Sequence, residues 1–533
     1  MWRLSSTTSS SSSSALRGRG LISRTALITS PAPSSSSSRG TGSFFKQSRR
    51  FLQTDSDSLG ASSGKMLAYD ESMRFDKTGD RSSALVRYRI SSDEIIRREY
   101  MRYDHGVRIG RLLEDLDAGA GDVAARHCYL GSPHHEMTDN VTACVDGILI
   151  DDHLGNIETD GKDFFLEGRL MWVGSASMMI RMRVWTADGT WEPSNLAACG
   201  SAKPDESVPP KRLKSQASIA LKRIYQVAER NPGPNRFGSE HCGIGTDGAV
   251  AALLPPDRKK LLQGDFLFVA LSKGSRKAVK INGLTTVSAE DKQLFAEGEA
   301  MRAKRKATAA KGGKGFAPCA EEASYLHLMH TRGLMRHAAP AKDMFDYLFK
   351  SQPLPEGHFL PDALDGEQMA LDGDKSTSSQ IVPICQTQCR SIISTQPQSQ
   401  NAGGKIFGGQ LMRQAYELAV QNIRLLLNAT GHCVGLKALV IEDTVFKAPV
   451  PIGACLNYSS HVVYTKGRYA QVFVTAHVHV IGAHSTYLAN TFMYTFEAKE
   501  RDFPHIVPIS YAEMMLNLKG RRAYYSRFSP REE

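Results

Sequence analysis

At 533 residues the chain exceeds one ordinary domain, and its 41% hydrophobic and 23% charged residues describe a globular protein with a sizeable core. The formal charge of +11 invites a nucleic-acid partner, but eight of the positive residues lie within residues 1–51, before the first acid at Asp55, which leaves +3 for the rest. The basic balance belongs to the leader and argues against nucleic-acid binding. No apolar run approaches the roughly 18 residues of a membrane span, and the nine cysteines show no zinc-type pairing, so neither an integral membrane segment nor a metal is expected.

Residues 1–51 are rich in Ser and Arg, lack Asp and Glu, and end near Arg49-Arg50-Phe51-Leu52. That is the pattern of a mitochondrial transit peptide, which directs the chain to the matrix, whereas Ser tracts interrupt any secretory apolar stretch. A low-complexity tail with no address is the alternative. Next comes Val107-Arg108-Ile109-Gly110, leading into a helix whose apolar stripe is Ile109, Leu112, Leu113, Leu116 and Ala120. Strand-like runs follow at 141–150, 164–173, 177–185 and 265–271, so 85–290 reads as one helix-then-sheet domain.

Residues 188–262 interrupt it. They separate the third strand from the fourth, carry Pro-rich turns, and show only a short helical stretch at 219–227. So long a structureless segment inside a compact domain is anomalous; it is a surface insertion or translated intron sequence, the second being the favoured reading. Residues 291–375 read as a helical linker, basic at Arg302, Lys304, Arg305 and Lys306, with loop-like sequence over 353–380. A basic face of this kind is either simply solvated or placed to meet an anion. Residues 376–526 repeat the unit. Gly404-Lys405-Ile406-Phe407-Gly408-Gly409 precedes a helix with Leu411, Met412, Ala415, Leu418 and Ala419 on one face. Alternating runs follow at 436–442, 455–464, 470–480 and 486–496. The fold class is therefore α+β, with two fused copies of a long helix wrapped by an antiparallel sheet.

The stretch from Gly106 to Ala118 resembles the first helix of the acyl-coenzyme A thioesterase 9 family. So do Trp172-Val173-Gly174, Asn401 with Ile406 to Met412, and the ending from Phe503-Pro504 through Tyr511 to Gly520-Arg521-Arg522. The segment 188–262 departs from the family pattern, and His105 stands where animal relatives are expected to carry Asn. The resemblance implies two fused hotdog domains, a mitochondrial location, hydrolysis of acyl-CoA to free acid and CoA, no cofactor, and homo-oligomers of the fused pair. It also implies that backbone N–H groups at the N-terminus of the central helix polarise the thioester carbonyl, which points to Gly408, Gly409 and, in the first copy, Gly110. The plain reading of such a glycine pair is a tight turn before a helix.

A carboxylate is also needed, and the repeat offers a comparison. Asp117 stands seven residues after Gly110; the position seven after Gly409 is Tyr416, which is no base near neutrality. Asn401 stands eight before Gly409, where the first copy has Arg102. Each copy keeps one member of a pair that, in the family, meets across the interface and holds the nucleophilic water: Asp117 as base and Asn401 as its second partner. On a helical wheel Asp117 falls at the edge of the apolar stripe, with Glu114 and Asp115 well away, so a raised pKa is expected. Glu417 is the fallback base. A hotdog hydratase using His105 or His127, and a non-catalytic acyl-CoA binder, are the alternatives. Residues contacting CoA, like chain-length preference, are not readable from the sequence.

Overall fold

The computed structural model describes residues 67–528, apart from 191–253, 311–316, 338–380 and the short stretches 133–134, 152–156, 158, 402, 428–434, 443, 484 and 500. The leader 1–51, most of 188–262 and the loop 353–380 therefore lie outside the described residues.

The sheet of the first half starts with β1 (Ala84–Tyr88), all five residues of which are buried, and a short helix α1 (Glu94–Tyr100) capped by the Asp93 side chain follows. The long helix α2 (Ile109–Cys128) follows, then β2 (Asp139–Ile150), β3 (Lys162–Val173), β4 (Ser177–Asp188) and β5 (Lys259–Leu271). Helices α3 (Ala289–Ala310) and α4 (Ala320–His337) lead to the second half. There β6 (Cys389–Ser394) precedes the long helix α5 (Gly408–Leu426), and β7 (Leu436–Ile441), the two-residue β8 (Thr444–Val445), β9 (Cys455–Lys466), β10 (Tyr469–Val480), β11 (Ser485–Ala498) and a closing helix α6 (Tyr511–Phe528) complete it.

Eleven of these strands form one antiparallel sheet in the order β1-β3-β4-β5-β2-β7-β11-β10-β9-β6, with β8 beside β2. Each half has the same order of five strands, outermost first strand to innermost second strand. They join where β2 meets β7, Leu149 opposite Val440 and Ile148 opposite Ile441. The strands are long and alternate: Met178, Ile180, Met182 and Val184 of β4 enter the main core with α2, while Met179, Arg181, Arg183 and Trp185 face the other way. The described residues, within 67–528, belong to one compact unit. No helix among the described residues is long and apolar enough to cross a membrane.

Three expectations need correction. Helix α2 is not a one-faced surface helix, because its own sheet, α1 and α5 enclose it on nearly every side. Glu114 and Asp115, expected to point away, are buried at 6% and 0% exposure. Asp115 accepts hydrogen bonds from the hydroxyls of Tyr88 and Tyr100. The interruption is also shorter than 188–262, since Lys259 to Leu262 already pair with β4, Lys259 opposite Thr186. It leaves and re-enters the fold between neighbouring paired strands, as the loop of a hairpin does. Finally, the basic helix α3 is no free linker: Arg302 lies over the Trp172 ring at 5.2 Å, Arg305 pairs with Asp146, and Leu294 packs on Met171 and Met179.

Candidate functional site

Both long helices start without a side-chain cap, their N-cap residues being Arg108 and Phe407. The first-turn N–H groups of a helix have no partner within it, so an uncapped start offers donors to whatever faces it. The approach loops are built alike. Bridges Met101–Val107 and Gln400–Ile406 have the same span, and Arg102 N–H to Gly106 O (2.8 Å) matches Asn401 N–H to Lys405 O (2.7 Å). By backbone geometry Asn401 corresponds to Arg102, Gly409 to Gly110, and Tyr416 to Asp117.

The helices pack so that the middle of each meets the start of the other. The N–H of Gly409 donates to Asp117 Oδ2 at 2.6 Å, and the Thr142 hydroxyl on β2 donates to Asp117 Oδ1 at 2.8 Å. Asp117 thus caps, from the other half, the helix that lacks a cap of its own. Its carboxyl is wholly buried, further inside than the stripe edge expected from the wheel. Burial pushes its pKa up to about 6, against the lowering pull of Thr142 and Gly409 and with a small further push from Glu114. The two glycines provide space rather than unusual dihedrals. A Cβ on Gly409 would stand 2.9 Å from the Glu114 carbonyl oxygen, and one on Gly408 would stand 3.0 Å from Asp117 Oδ2 and 3.1 Å from the Phe446 ring.

At the equivalent place in the other direction, a Cβ on Gly110 would meet Glu417 Cγ and Oε1 at 3.2 Å. Glu417 is chemically unlike Asp117. It is paired with Arg108 at 2.9 Å and Arg413 at 3.2 Å, and its side chain is 36% exposed. Arg413 also reaches Glu114 at 3.0 Å. One acid is held by neutral donors in a dry interior, the other by two guanidinium groups near water. Tyr416, at the register of Asp117, is a core residue packed edge-on against Tyr494 at 5.8 Å.

Asn401 lies in the approach loop of α5, where its carboxamide oxygen accepts the Lys405 N–H at 3.1 Å. No direct hydrogen bond joins it to Asp117 among the described residues. The candidate histidines stand elsewhere. His105 is a turn residue with φ of 60°. His127, near the far end of α2, bonds Ser82 Oγ at 3.1 Å and the Asn282 carbonyl at 2.9 Å, and burial pushes its pKa down to about 4. Among the described residues no cluster of His, Cys, Asp and Glu is arranged to hold a metal. Sequence reasoning missed Thr142, Phe446 and the Arg108–Arg413 pair. No local motif marks them, although Arg108 against Phe407 was visible once the two copies were aligned.

No protein-family profile matches the chain. It is 25% identical to the mouse protein named acyl-coenzyme A thioesterase 10, mitochondrial, over 441 residues, 83% of this chain and 76% of that one. It is equally 25% identical to human acyl-coenzyme A thioesterase 9, mitochondrial, over 444 residues, with the same shares covered. A hop (Humulus lupulus) relative, acyl-coenzyme A thioesterase 2, chloroplastic, is 25% identical over 428 residues, 79% of this chain and 74% of its own. Among solved structures, a Staphylococcus aureus acyl-CoA hydrolase in complex with butyryl coenzyme A aligns with a TM-score of 0.26 and 20% identity, over 28% of this chain and 90% of that one. A hexameric acyl-CoA thioesterase aligns with a TM-score of 0.25 and 20% identity, over 28% and 99%. Over 83% of its length, the chain is similar, at 25% identity, to the mitochondrial acyl-coenzyme A thioesterases 9 and 10.

Proposed function

We propose that the chain hydrolyses acyl-CoA thioesters to free acid and CoA at one composite site per chain, built from two fused hotdog domains spanning 85–290 and 376–526. The observation that carries this reading is the buried Asp117 carboxyl, with its pKa raised to about 6, against the uncapped start of α5. A carboxylate of that basicity is suited to taking a proton from water near neutral pH. The thioester carbonyl docks on the leading N–H groups at Gly408 and Gly409, where the helix dipole favours an oxyanion. Because Asp117 already holds the Gly409 N–H, the substrate oxygen either shares that donor or takes the one at Gly408.

Water attacks the carbonyl carbon as Asp117 accepts its proton, and Thr142 fixes the carboxylate in the required rotamer. The tetrahedral adduct then collapses, the C–S bond breaks, and the proton on Asp117 passes to the departing CoA sulfur. Asn401 supplies the water's second partner through its carboxamide. This sequence calls for no cofactor. The equivalent position at Gly110 does not catalyse, because Arg108 and Arg413 neutralise Glu417 and hold it away from a base's task. We further propose a mitochondrial matrix location directed by 1–51, homo-oligomers of the fused pair, and no nucleic-acid partner.

Free thiol release tests the reading. Protein beginning near Leu52 should release CoA from saturated acyl-CoA without added metal or nucleotide. Activity confined to enoyl-CoA, with no thiol released, would instead identify a hydratase. Binding without turnover would identify a carrier.

A further inference from the structure

The sheet face turned away from α2 in the first half is covered by α3 from its first turn onward, through Leu294, Arg302 and Arg305. At the leading end of that helix, beside Glu290, the face opens into a cavity of about 480 Å³. Its floor is Glu167, Arg183, Trp185 and Lys260, and Arg258 rises from the loop before β5. The lining holds four cations, Arg169, Arg183, Arg258 and Lys260, against two acids, Glu167 and Glu290. Arg169 is matched by Glu290 at 2.6 Å, and Arg183 approaches Glu167 at 3.6 Å. Arg258 and Lys260 have no acid partner among the described residues. Lys260 Nζ reaches only the Gln263 side-chain oxygen at 3.5 Å, and Arg258 Nη1 donates to the Pro255 carbonyl at 2.9 Å. The Nε–H of Arg258 is buried with no acceptor, while its guanidinium lies over the Trp185 ring at 4.9 Å.

A buried donor without an acceptor is costly, and native proteins rarely keep one without a reason. Two adjacent uncompensated cations, one a guanidinium with an open donor, suit an anion of multiple charge and several oxygens. We propose that this cavity binds a phosphate-bearing small molecule, with its phosphate on Arg258 and Lys260. The volume lies within the roughly 300–1,000 Å³ of ordinary small-molecule sites. Asp117 and Thr142 stand on the opposite face of the sheet, so the ligand is separate from the hydrolysed substrate and the inference does not depend on the hydrolytic reading.

Isothermal titration of the full chain with inorganic phosphate, pyrophosphate and AMP tests it. Saturable one-to-one binding of at least one probe is expected, weakened tenfold or more in the Arg258→Gln, Lys260→Gln double variant and unchanged in Asp117→Asn. AMP binding more tightly than pyrophosphate would point to a nucleotide, and the reverse order to a free inorganic anion. If the double variant fails to fold, Lys260→Gln alone should still weaken binding several-fold. Absence of saturable binding by all three probes, or binding unaffected by these substitutions, would overturn the proposal.

Discussion

Replacing Asp117 with Asn should make the protein more stable at neutral pH while it disables hydrolysis. Burial moves this carboxyl from the usual 3.8 to about 6. Between those values the folded state keeps a proton that the unfolded chain has released, so stability falls as pH rises through the window. About two pKa units correspond to about 3 kcal/mol, fully lost above pH 7 and fully regained below pH 4. Asn matches the side chain in shape. Its oxygen can accept the Gly409 N–H, and its amide can donate to the Thr142 hydroxyl, so no buried polar atom is orphaned. The expected gain is about 1–3 kcal/mol at pH 7.5, the lower figure allowing for the weaker neutral hydrogen bonds. Denaturant or calorimetric unfolding of both proteins at pH 7.5 and pH 4 reads it directly. The advantage should be present at the first pH and absent at the second. A variant less stable at pH 7.5, or equally advantaged at both, would refute the account of a desolvated, functionally poised carboxyl.

Thr142→Val removes a hydrogen bond that lowers the Asp117 pKa, so the acid limb of kcat/KM should move upward by about one unit; a pH–rate profile checks the sign. Asn401→Ala should lower turnover, and in combination with Asp117→Asn the loss should be far smaller than the product of the two, as for residues acting on one water. Multiplicative losses would mean that Asn401 acts elsewhere. Deleting 191–253 and closing the gap with a short Gly-containing turn between Thr190 and Leu254 should leave soluble protein with its thiol-releasing activity, because β4 and β5 are already paired neighbours. Insoluble protein from that deletion alone would show the segment to be structural.

Much of this architecture was legible because both copies obey the same period rules. The helix stripes of Leu112–Leu116 and Leu411–Ala415, and the alternation of Val472, Val474, Ala476 and Val478, are strong local signals. β1 escaped notice because Ala84–Tyr88 is buried on both faces and does not alternate, and β6 because it is a polar sheet edge. Asp117 was legible only through comparison of the copies, which cancels what the two helices share and leaves what differs. The burial of Asp115 was not, since a helical wheel assumes a solvent face that α2 lacks. Thr142 was not legible either, since nothing distinguishes one strand threonine from another until the register of β2 against α2 is known.

The most direct measurement compares turnover of one saturated acyl-CoA by Asp117→Asn and Glu417→Gln at pH 7.5. The two acids occupy opposed positions across the helix pair, and only Asp117 escapes neutralisation by arginine. The account predicts a loss of roughly 10²-fold or more for Asp117→Asn, as expected when a general base is removed, and near-normal turnover for Glu417→Gln. An active Asp117→Asn beside an inactive Glu417→Gln would place the base in the second half, and an equal partial loss in each would mean two working sites rather than one.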